Sequence, residues 1–294
     1  MIKPVRFGYN AETAVNNYFQ QIVDHSVQKK ALEEFDALVL KLRSHKIIVN
    51  VVEDSIDPHT PDSIFPNNWI SFHENNSITL YPMFAENRRK ERKETVLQFI
   101  RDHLNITQNN DLSYYEKADK FLEGTGSMVL DRENKIVYAC LSPRTNEDVL
   151  DHFCRLYQYR KVVFTAADSH GNLIYHTNVM LCIGSRFAVV CLEAIPDEQE
   201  KMLVIESLES SGKEIIPIHL QQLHHFAGNM LELENTDGER ILVLSTQAYH
   251  SLNQQQIRSL EKYATILHSS LNTIETAGGG SARCMLAEIF NTPK

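Results

Sequence analysis

Apolar and polar positions recur along this chain in a pattern that repeats. A short apolar strand preceded by a small polar or glycine-rich turn occurs as Asn68-Trp69-Ile70-Ser71-Phe72, Ser127-Met128-Val129-Leu130, Asn178-Val179-Met180-Leu181, Asn229-Met230-Leu231-Glu232-Leu233 and Cys284-Met285-Leu286. Their first residues lie 59, 51, 51 and 55 positions apart, a spacing that marks a repeat architecture. Three middle copies continue into a second strand, Lys135-Ile136-Val137-Tyr138-Ala139-Cys140, Phe187-Ala188-Val189-Val190-Cys191-Leu192 and Arg240-Ile241-Leu242-Val243-Leu244, which reads as a hairpin. Apolar residues at helical spacing follow: Val149, Leu150, Phe153 and Leu156, then Met202, Leu203, Ile205 and Leu208, then Ile257, Leu260 and Tyr263. Third strands at 161–165 and 214–218 close the units. The first unit is completed by the N-terminal strand and a helix from about 28 to 43, followed by the run 46–52.

Units of this size cannot bury an apolar face alone and are expected to pack around a common axis. The expected fold is therefore α+β, a five-bladed α/β propeller of five ββαβ units, in one domain over residues 1–294. Turns at the strand starts then converge, so Asn68, Glu123, His176 and Cys284 can meet although they are remote in sequence. The alternative is a two-domain α/β protein in which the spacing is coincidental.

Composition narrows the function classes. Of the 294 residues 43% are hydrophobic and 23% charged, which is globular usage. A net charge of −9 argues against a nucleic-acid partner, since phosphate binding needs clustered Lys and Arg. The one basic run, Arg88-Arg89-Lys90-Glu91-Arg92-Lys93, reads as mostly a solvated face. The start Met1-Ile2-Lys3-Pro4-Val5-Arg6 lacks a signal peptide's apolar stretch, and no run approaches the roughly 20 apolar residues of a membrane span, so no membrane partner and a cytoplasmic location are expected. Five cysteines with no CxxC pairing fit neither a disulfide framework nor a zinc site; four read as core residues and one as reactive. The pair His224-His225 reads as structural, and no metal or other cofactor is expected.

The candidate for the reactive thiol is Cys284, which follows Gly278-Gly279-Gly280-Ser281-Ala282-Arg283, a loop whose glycines allow close backbone approach. A cysteine attacks as the thiolate, favoured by neighbouring positive charge; Arg283 and a protonated His176 are the sources the sequence offers. Taken singly, Cys284, His176 and Glu123 each read as structural residues. Their common phase within the repeat is what favours chemistry.

The segment Gly279-Gly280-Ser281-Ala282-Arg283-Cys284-Met285 resembles the nucleophile loop of arginine deiminases. Pro61-Asp62-Ser63-Ile64-Phe65, Arg88-Arg89-Lys90-Glu91, Leu122-Glu123-Gly124 and Ser142-Pro143-Arg144-Thr145-Asn146 resemble segments of dimethylarginine dimethylaminohydrolases. With Phe65-Pro66-Asn67-Asn68-Trp69 as the sharpest signature, nearly the whole chain resembles the guanidine-modifying superfamily of five-bladed propellers (penteins), nearest to its citrulline-utilisation hydrolase branch. The resemblance implies Cys284 as nucleophile, His176 as general acid and then base, and Glu123 as the carboxylate that holds the substrate's planar nitrogens. It further implies substrate binding by Asp62, near an α-amino group, by Arg144 with Arg88 or Arg89, on an α-carboxylate, and by Asn67, Asn68 and Asn178. The partner would be a free amino acid, citrulline or arginine-like, with a homodimer as the default assembly.

Two carboxylates of the arginine-processing pattern are amides here: Asn68 stands where an aspartate is expected, and His176-Thr177-Asn178 where deiminases read His-x-Asp. A guanidinium has N–H donors and no acceptor, whereas a ureido group presents a C=O that wants a donor. An amide can donate, so citrulline cleaved to ornithine, ammonia and carbon dioxide is the favoured reaction. Against it stand arginine deiminase or dimethylarginine dimethylaminohydrolase activity, with Glu123 alone neutralising a guanidinium, an amidinotransferase, and a non-enzymatic binding propeller.

Overall fold

A computed structural model of the chain describes residues 1–22, 27–291 and 293. Among the described residues the strands form four three-stranded sheets and one two-stranded sheet, each built from a contiguous stretch. In each three-stranded sheet the first two strands pair antiparallel and the second and third pair parallel, around a helix that makes the crossover. The first unit has strands Ile70–Phe72, Ser77–Leu80 and Gln108–Asp111 with the helix Glu94–His103. The second has Val129–Asp131, Ile136–Cys140 and Arg160–Phe164 with the helix Glu147–Tyr157. The third has Leu181–Ile183, Phe187–Val190 and Glu214–Pro217 with the helix Glu198–Ser210, and the fourth Leu231–Glu234, Arg240–Ser245 and Thr265–Ser269 with the helix Gln254–Glu261. The two-stranded sheet comes from the start of the sequence: Ile2–Lys3 pairs parallel with Val52–Glu53 across the helix Val27–Ser44.

Local sequence explains these elements. Middle strands are covered on both faces and are accordingly continuous apolar runs, as in the fully buried Ile136–Cys140. The helix Glu147–Tyr157 starts where the Asn146 side chain accepts from the Asp148 amide and stops where Gln158 turns left-handed at φ 57°. Asp197 caps the third crossover helix, and Asn253 with Gln256 forms a capping box on the fourth.

Three expectations are corrected. The stretch 46–52 yields only the two-residue strand Val52–Glu53, and Ile48 is exposed. The segment at Cys284 is a 3-10 turn, Ala282–Met285, and no strand follows it among the described residues; the Arg283 guanidinium donates to the Leu286 carbonyl at 2.8 Å, an acceptor that a ladder would need. On the third crossover helix Met202 and Leu203 are exposed, and the buried stripe is Val204, Ser207 and Leu208.

What positions the site is the short turn before each first strand. Pro66–Asn68, Gly124–Ser127 and Thr177–Val179 are single helical turns preceding strands, and Ala282–Met285 is a further single turn near the end of the described residues. Gly124–Ser127 packs on both Pro66–Asn68 and Thr177–Val179, and Pro66–Asn68 packs on Ala282–Met285. The turns therefore converge, with apolar clusters filling the spaces between units. Among the described residues no helix is long and apolar enough to cross a membrane.

Candidate active site

Glu123 enters the turn Gly124–Ser127 fully buried. Its amide donates to Ser127 Oγ at 2.9 Å and its Oε1 accepts from the Phe84 amide at 3.0 Å. The turn is tight enough to demand glycine: at Gly124, φ +46°, a Cβ would lie 2.3 Å from the Asn67 carbonyl oxygen. Glu123 Oε2 meets His176 Nε2 at 2.8 Å, with Arg144 Nη1 at 3.5 Å and Arg88 Nη1 at 3.9 Å. Burial pushes this carboxyl up, but Arg144, His176 and Arg88 together outweigh it and hold Glu123 well below the usual carboxylate range.

An ionised carboxylate only accepts, so Nε2 of His176 carries the hydrogen and Nδ1 carries the lone pair. Burial, and more weakly Arg144 and Arg88, bring His176 down to about 4 although Glu123 pulls the other way. His176 is therefore a neutral base near neutral pH. It is not the cation expected beside the nucleophile, and Arg283 is not that cation either: its guanidinium turns to Leu286 O and to Glu288 at 3.0 Å.

Cys284 is 3% exposed on its turn. Its Sγ faces the side-chain Nδ2 of Asn229 at 3.4 Å and of Asn178 at 3.6 Å. The other cysteines are buried and free, and burial pushes Cys154 up to about 11, Cys140 and Cys191 up to about 12, and Cys182 up as well, which suits inert core thiols.

The binding candidates lie around this core. Arg88 forks onto Glu91 at 2.8 and 3.0 Å, donates from Nη1 to Asn68 Oδ1 at 2.8 Å, and lies 3.9 Å from Asp62. Burial raises Glu91 to about 7 despite that pairing. Arg144 is held by Asn16, by the Thr13 carbonyl at 2.7 Å and by the Tyr175 ring, 4.9 Å beneath its guanidinium. Arg89 is half-buried and points elsewhere, to the carbonyls of Met83 and Phe84 at 3.0 and 3.2 Å. The run from Arg88 to Lys93 is not a solvated face: Arg88, Glu91 and Lys93 are buried, the last on Asp54 at 2.7 Å. His224 packs on Phe19, and His225 bonds the Gln221 carbonyl; neither joins the cluster.

Four buried polar atoms among these residues lack a protein partner: Asp62 Oδ1, Asn67 Oδ1, Asn68 Nδ2 and Asn178 Oδ1. Each such group costs about 1–3 kcal/mol, so their concentration on and beside the converging turns suits a polar ligand. Asn68 Nδ2 and His176 Nδ1 are packed against the same residue, Gly126, where a Cβ would lie 2.4 and 2.8 Å from them. A cavity of about 930 Å³ is lined by Thr125, Asn178 and Arg283 but by none of Asn68, Gly126, Cys284, His176 and Glu123.

Sequence reasoning missed Asn10, Thr13 and Asn16, whose segment carries no periodicity; Asn10 and Thr13 bond Asp62 Oδ2 at 2.7 and 3.1 Å. It also passed over Asn229, which had the right signal, the same repeat phase as Asn178 and Cys284.

Comparison with known proteins places this geometry. The chain matches the family described as "N,N dimethylarginine dimethylhydrolase, eukaryotic" over residues 3–291. A search of curated proteins finds no match. Among solved structures it is similar to ArgZ, an arginine dihydrolase from the ornithine-ammonia cycle in cyanobacteria, at 17% identity and a TM-score of 0.77, covering 98% of this chain and 40% of that one. Unliganded AgrE gives 19% identity and a TM-score of 0.76, with 100% and 38% coverage. A dimethylarginine dimethylaminohydrolase mutant bearing an S-methyl-L-thiocitrulline adduct gives 14% and 0.65, with 97% and 96% coverage. The chain thus spans about two fifths of full-length ArgZ and AgrE, whereas it covers 96% of the isolated ArgZ N-terminal domain. With an α+β fold shared by these structures and a family match over nearly its whole length, the chain belongs to the N,N-dimethylarginine dimethylhydrolase family of the guanidine-modifying pentein superfamily.

Proposed function

We propose that the chain is a single catalytic domain of five units around one axis, and that it hydrolyses the terminal C–N bond of a ureido amino acid, citrulline, giving ornithine, ammonia and carbon dioxide. The observation that carries this reading is Asn68. Its Oδ1 is fixed by Arg88 Nη1 at 2.8 Å, so the face left without a partner is the Nδ2 donor. A ureido carbonyl accepts from such a donor, and a guanidinium has nothing to offer it. The unpartnered Asn178 Oδ1 and the Glu123 carboxylate serve the substrate's N–H groups on the other side.

In the proposed reaction the Cys284 proton passes to His176 Nδ1, the thiolate adds to the ureido carbon, and the same proton returns to the departing nitrogen, which leaves as ammonia. A thiocarbamate on Cys284 results. Water, deprotonated by His176, attacks it, the C–S bond breaks and the thiol is restored; the carbamic acid formed loses carbon dioxide to leave ornithine. Glu123 keeps the imidazole in the tautomer this sequence requires. Arg144 and Arg88 bind the α-carboxylate, with Asn16 and the Thr13 carbonyl yielding their place on Arg144, and Asp62 Oδ1 with Asn67 receives the amino end.

A second reading, arginine as substrate, is favoured by the arginine dihydrolase activity of ArgZ and by a Glu123 that stays ionised. Incubation with citrulline, arginine, dimethylarginine and agmatine in turn, with assay of ammonia, carbon dioxide and amino-acid products, tests both. Release of carbon dioxide and ornithine from citrulline is expected; arginine consumed while citrulline is untouched would overturn the first reading. Cys284→Ser should abolish turnover, and iodoacetamide should label Cys284 ahead of the four core cysteines.

A further inference from the structure

One fully buried side chain with no role assigned so far touches the reacting sulfur. Asn229 closes a turn in which its amide donates to the Phe226 carbonyl at 2.9 Å. That turn is pressed on its neighbour: at Gly228 a Cβ would lie 2.4 Å from the Val179 carbonyl oxygen. The carboxamide orientation is set by both flanks. Arg283 N–H can only donate, and it donates to Oδ1 at 3.0 Å; the Asn178 carbonyl can only accept, and it accepts from Nδ2 at 2.9 Å. A flip would break both bonds, so the second Nδ2 hydrogen is held toward Cys284 Sγ at 3.4 Å.

The surroundings raise the importance of that hydrogen. Arg283 is committed to Glu288 and His176 is neutral, so the sulfur's neighbours on these turns are amides. Asn178 contributes the other N–H at 3.6 Å, but its Oδ1 has no partner to fix it.

Resting on the reading of Cys284 as nucleophile, we propose that Asn229 is a further catalytic residue, whose fixed second N–H stabilises the Cys284 thiolate while its oxygen pins the nucleophile turn through the Arg283 amide. A purely structural amide would contribute to stability alone. A thiolate donor also shifts the pH at which the sulfur becomes reactive.

The test is the pH dependence of iodoacetamide alkylation at Cys284, followed by mass spectrometry in the wild-type chain, Asn229→Asp and Asn229→Ala, with thermal melting as the check on folding. Aspartate keeps an oxygen for the Arg283 amide but sets a carboxylate oxygen beside the sulfur. The alkylation midpoint should move up by about one pH unit or more, a roughly tenfold loss of thiolate at a fixed pH below it, since hydrogen bonds to charged groups are worth about that much. The shift should be larger for Asp than for Ala, and kcat should fall more than KM rises. If Asn229→Asp does not fold, Asn229→Ala against wild type decides the matter. A wild-type midpoint in a folded variant would overturn the role of Asn229 and leave Cys284 as nucleophile. Full turnover by Cys284→Ser would instead remove both readings.

Discussion

Arg88 and Arg89 are adjacent, yet only one has its guanidinium among the converging turns. Arg88 binds two carboxylate oxygens of Glu91 and Asn68 Oδ1 from full burial, and a lysine cannot reproduce that fork. Arg88→Lys should cost at least about 2 kcal/mol in denaturant unfolding and raise KM sharply, while Arg89→Lys, which loses bonds to two carbonyls at a partly exposed position, should stay within about 1 kcal/mol with KM unchanged. Glu123→Gln removes the negative charge shared by Arg88, Arg144 and His176. It should lower kcat by about 10²-fold or more and destabilise the fold by about 3 kcal/mol; wild-type turnover would contradict its role. From sequence, the repeat phase and motifs singled out Glu123, His176, Asn68 and Cys284. The direction of Arg283 was not legible, because it depends on a 3-10 turn where a strand was expected. The burial of Arg88 and Lys93 was hidden for another reason. Much of what surrounds them, Asn68 and Asp54, comes from distant positions, and charge composition alone reads as surface.

At the scale of elements, the short turns before the first strands govern the geometry, and their glycines are the sensitive points. Gly126→Ala puts a methyl against Asn68 Nδ2 and the His176 ring, of which Asn68 is locked by Arg88 and His176 by Glu123. Small displacements of reacting groups cost rates heavily, so kcat should fall about 10²-fold with a stability loss of about 1–3 kcal/mol. The control is Gly238→Ala at a hairpin tip, where φ is +80° and nothing lies within 4 Å of the added methyl; it should cost about 1 kcal/mol and leave kcat alone. Equal kcat losses in the two variants would sink the turn argument. Crossover helices and middle strands were legible because caps and apolar periodicity are local signals. The missing strand after Cys284 and the shortness of Val52–Glu53 were not, since the first turns on where the Arg283 guanidinium bonds and the second on pairing with Ile2–Lys3 across the helix Val27–Ser44.

For the molecule as a whole, burial of titratable groups ties stability to pH. Burial, helped by Arg132 and Lys135, holds His73 down at about 3, and His176 sits at about 4, against about 6.5 in an unfolded chain. Below pH 6.5 the unfolded state binds protons that the folded state refuses, so both histidines withdraw stability as pH falls from about 6.5 toward 4. Glu91 at about 7, with Asp62 and Glu275 also raised, acts with the opposite sign, the folded state taking up protons first. The contribution of His73 is isolated by difference: the stability lost by urea unfolding between pH 7 and pH 5 should be smaller in His73→Gln than in wild type, and an equal loss would contradict the assignment.

In the proposed reaction the converging turns make Cys284 a covalent catalyst on the terminal carbon of a ureido or guanidino amino acid. The most direct test is intact-protein and peptide mass spectrometry of acid-quenched turnover with citrulline and with arginine. A transient adduct confined to the Cys284 peptide, absent from Cys284→Ser, is the predicted result; steady turnover with no adduct, by a Cys284→Ser variant as active as wild type, would contradict it.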